Sequence, residues 1–498
     1  MAENAIAQLL ADALAHYPER PYLVAEDEAE WQNYGTMVKR IQRRRNDLSQ
    51  AGIQAGDRVG ISLGHPREFV TAWLTVLAMD AVAVPLDQAA PVADQVRTLN
   101  TSGARFLISD DSRFDVPPTV GCVAWESPSS GAHLVRAPLG PRLTRADQGG
   151  GVILLTSGTT GDPKPVGLPI RALLRTATEV VAAHRLTAGD VGYSPLPLFH
   201  INGEVVGVLA TLLAGGSLIV SDRFHLGQFW PTVNRARPTW LNLVPSILKV
   251  LVGHDEDPQD ASRIRFIRSA SAPLPLAILS AIERRWNIPV IETYGLSEAA
   301  SQIAANSLEG RRRGSVGKPT GVQIRIVDDV VACVGANQVG EVEIRGEAVI
   351  DPAWGPNRWA IEKLHRGWYR TGDLGRFDRD GYLYLQGRRR ELINRGGEKV
   401  FPREVEEIVL EHPALADCAV VGRPHEVLGE EPVAFVVMRQ AFSGDAAAVT
   451  EELGQLVAAR LSRFKWPAQY FVVSALPKGT TGKVSRNSLR RSLVGIES

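Results

Sequence analysis

Apolar runs of strand length alternate with amphipathic runs of helix length through the first 390 residues of this chain. Arg58 to Leu63, Glu68 to Leu77, Ala81 to Leu86 and Ala93 to Leu99 form the clearest series. Strands that pair in parallel need a crossover between them, and a helix is the usual one. The order therefore predicts βαβ units whose parallel sheets lie buried under helices. At 498 residues the chain is longer than one hydrophobic core can organise, so two or more domains are expected. Beyond residue 390 the pattern changes. Pro402 opens a helix with Val405, Ile408 and Val409 on one face, strands follow near Asp417 to Gly422 and Pro432 to Met438, and a helix near Ala446 to Leu461 precedes Tyr470 to Val473. That order describes a small α+β unit.

Basic and acidic residues number 55 each, leaving no formal net charge, so neither nucleic acid nor a membrane surface is indicated as a partner. The runs Arg311 to Arg313 and Arg388 to Arg390 read as solvated or local to a site. Cys122, Cys333 and Cys418 are far apart and lack metal-ligand spacing, which fits a reducing cytoplasm with no disulfide framework. The N-terminus, MAENAIAQLLADALAHYPERP, carries acids early and apolar residues at helical spacing, unlike a secretory leader. The longest apolar stretch, Val205 to Val220, is broken by Gly207, Thr211, Gly215, Gly216 and Ser217, and is shorter than the roughly 20 residues of a membrane span. It reads as a helix ending at the glycine pair, followed by a buried strand.

One segment carries a chemical signal of its own. Leu154 to Val166 reads LLTSGTTGDPKPV, an apolar strand running into a loop of small residues, hydroxyls and glycines. Gly158 and Gly161 let the backbone approach an anion, Thr156, Ser157, Thr159 and Thr160 add hydroxyl donors, and Lys164 adds a compact positive charge. The P-loop pattern fails, because the glycines are only three apart and Lys164 is followed by Pro165. On composition alone a polar surface loop remains the alternative.

TSGTTGDPKPV resembles the phosphate loop of the adenylate-forming superfamily, and later segments extend the resemblance in order over about 330 residues to its acyl-CoA synthetase branch. Ser194-Pro-Leu-Pro-Leu-Phe-His200 is similar to a segment whose histidine lines and gates the acyl and pantetheine channels. Arg268-Ser-Ala-Ser-Ala-Pro273 is similar to the adenine turn, which implies adenine contacts for Ser271, Ala272 and Pro273. Glu292-Thr-Tyr-Gly-Leu-Ser-Glu298 resembles the family's Tyr-Gly-x-Thr-Glu element: Glu292 and Thr293 flank the nucleotide, Tyr294 stacks on adenine, Ser297 bonds the α-phosphate and Glu298 holds Mg²⁺. Trp368-Tyr-Arg-Thr-Gly-Asp373 implies a ribose-binding carboxylate, with Arg388 as its partner on the ribose. Arg390 falls at the hinge, Gly396-Gly397-Glu398 at the CoA channel, and Lys483, in Leu476-Pro-Lys-Gly-Thr-Thr-Gly-Lys483, at the catalytic lysine. Two departures stand out: Pro165 replaces a glycine, and Arg390 replaces an aspartate or lysine.

The resemblance implies an α/β fold: a large N-terminal domain of parallel-rich sheets with flanking helices over residues 1–388, and a small mobile α+β C-terminal domain over residues 389–498. It implies a ligase that converts a carboxylic acid and ATP to acyl-AMP and pyrophosphate, then passes the acyl group to CoA after the small domain rotates. Expected cofactors are ATP or acyl-AMP, CoA and Mg²⁺. The acyl pocket is expected from Ile201, Asn202, Val205, Arg268, Gly295, Leu296 and Ile303, largely apolar, so a hydrophobic acid is expected; Arg268 pairing with a second carboxylate of a diacid is the alternative. Pro165 removes an N–H and fixes φ beside the triphosphate site, which suggests adenylation that is weak or absent, with thioester formation retained from an acyl-AMP supplied by a partner adenylating enzyme; the alternative is that the loop tolerates Pro165 and both half-reactions run. Two other readings are an adenylation enzyme that loads a separate carrier protein, and a silent nucleotide-binding scaffold. Glu298, Asp373, Arg388 and Lys483 together speak against the scaffold.

Overall fold

A computed structural model describes residues 4–111, 117–126, 132–136, 149–156, 164–439, 442, 444–478 and 484–494. The chain forms a mixed α/β protein with a large sheet-rich N-terminal domain and a smaller C-terminal one. Two sheets dominate the large domain. In the nine-stranded sheet, Pro21–Ala25, Ser217–Val220, Val191–Ser194, Trp240–Leu243, Phe266–Ser269 and Val290–Leu296 run parallel in that spatial order, and antiparallel strands close both ends. In the seven-stranded sheet the parallel centre is Gly121–Trp125, Phe106–Ser109, Arg58–Ser62, Val82–Pro85 and Gly151–Thr156. These strands are buried almost throughout, as the apolar runs require when helices cover both faces.

The helices follow from local signals. Asn4 caps Ala5–His16 by accepting from the Ile6 and Ala7 N–H groups at 2.9 Å. Pro66 opens Pro66–Ala78, and Gly103 ends Val92–Ser102 in the left-handed region. The stretch read as a helix and a strand is a helix and a strand, with one refinement. Asn202–Leu209 is wound as a π-helix, Ala210–Ala214 continues as α-helix, Gly215 turns at φ +69°, and Ser217–Val220 enters the sheet. A π-turn of this length is rare and widens the helix where side chains must converge.

A third sheet, antiparallel, is built from Gln323–Val327, Gly340–Arg345, Leu364–His365, Trp368–Phe377 and Leu383–Arg388. The C-terminal sheet pairs Leu415–His425 with Gly429–Met438 and backs onto Pro402–Val409 and Ala446–Arg460. Among the described residues no helix is long and apolar enough to cross a membrane.

Candidate active site

Parallel α/β sheets present ligand sites beyond the carboxyl ends of their strands, and here Trp240–Leu243, Phe266–Ser269 and Val290–Leu296 lead into the segments singled out by sequence. After Phe266–Ser269 the backbone turns sharply: Ser271 takes φ +72°, and Ser271, Ala272 and Pro273 are exposed. That leaves a small-residue ledge against which a flat ring can lie. The Thr293 hydroxyl donates to the Ser269 carbonyl at 3.2 Å and ties the ledge to the next strand.

Val290–Leu296 folds back on Ser301–Ala305 through a bulge at Tyr294 and Gly295. Gly295 has no substitute there, since a Cβ would lie 1.9 Å from the Ser301 carbonyl oxygen. Ala300 and Ser301 both have positive φ, +53° and +97°, a strained pair of the kind that concentrates at functional turns. The turn Ser297–Ala299 presents Glu298, whose carboxylate accepts from the Tyr369 hydroxyl at 3.4 Å. The Tyr294 hydroxyl donates to Asp373 Oδ2 at 2.5 Å, while Arg388 Nε lies 3.1 Å from Asp373 Oδ1. Asp373 and Arg388 face each other across antiparallel strands, so their pairing is set by register. Glu292 is 5% exposed, and one of its oxygens accepts from the Gly314 N–H at 2.9 Å; burial pushes its carboxyl up to about 7.

The expected acyl pocket holds a polar core. Arg268 is 1% exposed and reaches three amide oxygens: Gln302 Oε1 from Nε at 3.1 Å, and Asn202 Oδ1 at 3.1 Å and Asn242 Oδ1 at 2.9 Å, both from Nη1. No carboxylate pairs with it among the described residues, and burial pulls the guanidinium down to about 9. Asn202 Oδ1 also accepts from Asn242 Nδ2 at 3.3 Å, and Gln302 Oε1 also meets His184 Nε2 at 3.0 Å. The oxygens are thereby used up. The amide nitrogens of Asn202 and Gln302 are buried without any acceptor, although buried donors are normally satisfied. Ile201, Val205 and Ile303 are buried in the adjoining core, and Leu296 packs against it. Glu204, on the same π-helix, is buried, and burial pushes its carboxyl well above the usual carboxylate range.

Ser157, Gly158, Thr159, Thr160, Gly161 and Lys483 lie outside the described residues. Thr156 and Lys164 flank that loop, paired across antiparallel strands, with the Thr156 hydroxyl donating to the Lys164 carbonyl at 3.2 Å. Lys164 Nζ sits 5.1 Å from the centre of the Trp359 ring, and the Trp359 indole donates to the Pro165 carbonyl at 2.7 Å. His200 is half-buried beside Phe199. Arg390 is exposed in the turn Arg389–Glu391, and Gly396 and Gly397 form an exposed turn that leads into the strand Glu398–Val400, where Glu398 is exposed. Sequence reasoning passed over Asn242, His184 and Tyr369. Asn242 alone left a signal, an amide in the otherwise apolar strand Trp240–Leu243.

The family pattern described as AMP-binding enzyme matches residues 10–352, and that of the AMP-binding enzyme C-terminal domain matches residues 404–483. The chain is 35% identical to the sulfoacetate–CoA ligase of Cupriavidus necator, covering 98% of this chain and 97% of that one. It is 32% identical to the oxalate–CoA ligase of Arabidopsis thaliana, over 98% of each chain. Among solved structures it resembles ATP-bound MatB from Rhodopseudomonas palustris, with a TM-score of 0.85 and 26% identity over 99% of this chain and 100% of that one. The chain belongs to the AMP-binding enzyme family, the adenylate-forming superfamily in its acyl-CoA synthetase branch, and is an acid–thiol ligase that acts through an acyl-adenylate.

Proposed function

We propose that this ligase activates a short carboxylic acid carrying a second anionic group, and that Arg268 holds that group. The observation that carries the reading is the donor surplus around Arg268. A buried cation without a counter-charge, flanked by amide nitrogens without acceptors, is costly unless an acceptor-rich anion completes it. A carboxylate or sulfonate offers acceptors in the fork geometry that a guanidinium matches. The relatives named for sulfoacetate and oxalate, both short acids with two anionic ends, support the same class. The apolar residues Ile201, Val205, Leu296 and Ile303, which led to the expectation of a hydrophobic acid, would then limit the length of the acid.

In the first half-reaction the acid's carboxylate oxygen attacks the α-phosphorus of ATP and pyrophosphate leaves. In the second, the CoA thiol attacks the acyl carbon and AMP leaves. On this reading Tyr294 packs on adenine, Asp373 and Arg388 take the ribose hydroxyls, Ser297 the α-phosphate, and Lys483 the developing charge. Magnesium bound largely by phosphate oxygens and water needs few protein ligands. Glu298, a single carboxylate at a strained turn, fits that need, and no group of three or more His, Cys, Asp or Glu competes for the ion among the described residues. The division at residues 388 and 389, with Arg390 as pivot and Gly396 to Glu398 along the CoA passage, belongs to the same proposal.

The edge strand that carries Pro165 accommodates it. Both backbone groups of Gly167, two residues on, bond the Asn357 side chain at 2.7 Å, so this face of the edge strand points away from the sheet. Proline is tolerated at such a position because no ladder bond is lost. We read the protein as running both half-reactions, as the named CoA ligases it resembles support. The test follows acid-dependent pyrophosphate exchange and, separately, thioester formation from synthetic acyl-AMP. Sulfoacetate, oxalate and malonate should support exchange better than acetate, propionate or octanoate; preference for octanoate would overturn the acid assignment. Thioester formation without exchange would restore the need for a partner adenylating enzyme.

A further inference from the structure

Resting on the Arg268 reading, we infer that His184 is a positioning residue for substrate selection: it locks the Gln302 amide so that its NH₂ faces the second anionic group of the acid. His184 ends the helix Ile170–His184, is 0% exposed, and stacks on Phe266 with ring centroids 5.4 Å apart. Phe266 and Arg268 lie two apart on one strand and so share a face. The imidazole and the guanidinium therefore lie on the same side of the sheet, and Gln302 stands between them with its oxygen bonded to both.

Donor and acceptor counting fixes every orientation. Arginine has only donors, so the Gln302 atom that meets Arg268 Nε is the oxygen. That oxygen can only accept, so the His184 nitrogen 3.0 Å away carries the proton. Nδ1 is then bare, and it has no partner. Charging the ring would place a second N–H in a buried site beside Arg268; burial first, and the Arg268 charge second, push His184 down to about 3. His184 is accordingly a neutral, single-tautomer donor through the physiological range. With two donors on its oxygen, Gln302 cannot turn over without setting its NH₂ against both of them. The amide nitrogen stays on the side where it has no protein acceptor.

His184→Phe keeps an aromatic ring against Phe266 and removes the N–H. It should raise KM for malonate about tenfold, the order of one lost hydrogen bond in a buried site, and lower the malonate-to-propionate ratio of kcat/KM by the same factor, with KM for ATP unmoved. His184→Gln places an amide N–H near the position of Nε2 and should recover most of that ratio, which repair of packing alone would not do. The malonate KM profile of the wild type should show no inflection between pH 6 and 7. If His184→Phe fails to fold, His184→Leu and Gln302→Leu, alone and combined, provide the test: both remove the His184–Gln302 bond, so their losses should be non-additive. An unchanged malonate-to-propionate ratio in His184→Phe, or additive losses in the pair, would overturn the inference. Failure of the parent reading looks different: malonate is then not preferred by the wild type, or the preference survives Arg268→Met.

Discussion

Replacing Arg268 by methionine separates recognition of the second anionic group from the shared chemistry. The structural cost can be worked bond by bond. Gln302 Oε1 keeps His184 at 3.0 Å, and Asn202 Oδ1 keeps Asn242 at 3.3 Å, so only Asn242 Oδ1 loses its sole donor. One orphaned buried acceptor costs about 1–3 kcal/mol, and relief of a desolvated, unpaired cation offsets part of it. The fold should survive. For a dianionic acid the loss is larger, because the ligand's charge would be buried unpaired. Truncating one partner of such a pair costs about 2–5 kcal/mol, so kcat/KM for malonate should fall about 30-fold to several thousand-fold. Propionate brings no second charge, and its kcat/KM should change less than about threefold. The assay is coupled AMP release with each acid, run beside a urea titration. Equal loss for both acids in a folded variant would refute the reasoning.

Asp373→Ala removes both the acceptor of Tyr294 and the partner of Arg388, and should weaken an acyl-AMP analogue by about 2–5 kcal/mol; affinity near that of the wild type, by calorimetry, would sink the ribose assignment. Burial pushes Glu292 from 4.5 up to about 7, so the folded protein keeps a proton that the unfolded chain loses. Its contribution to stability is full below about pH 4.5 and is lost as pH rises to about 7. Glu292→Gln retains an acceptor for the Gly314 N–H, and its stability relative to the wild type should improve by about 3 kcal/mol between pH 4.5 and 8. A urea-midpoint difference that ignores pH would contradict this. Arg390→Pro fixes φ in an exposed turn and should slow one half-reaction far more than the other; equal loss in both, with the fold intact, would place the pivot elsewhere.

The parallel sheets were legible because their strands are buried on both faces and read as plain apolar runs between helices. The antiparallel third sheet was not. Its interior strand Gly340–Arg345 carries Glu341 and Glu343 at buried positions, where Arg325 and Arg370 on neighbouring strands and Arg389 in the turn Arg389–Glu391 neutralise them. Charges inside a strand disguise it until their partners are known. The π-winding of Asn202–Leu209 was hidden for the opposite reason, since a helix buried all round has no apolar stripe to betray its period. Motif residues such as Tyr294, Asp373 and Arg388 could be placed in advance by resemblance, and the fold brings these three into contact. The Arg268 network could not be assembled. Its members lie 26 to 118 positions apart from their partners, and neither periodicity nor motif spacing relates segments so far apart.

The most direct test of the account is a competition. The purified chain is given ATP, magnesium and CoA with equal concentrations of malonate, sulfoacetate, oxalate, propionate and octanoate, and the CoA thioesters formed at early times are quantified by mass spectrometry. The account predicts that thioesters of the dianionic acids dominate, with AMP and pyrophosphate released in step. Predominant octanoyl-CoA or propionyl-CoA would contradict it.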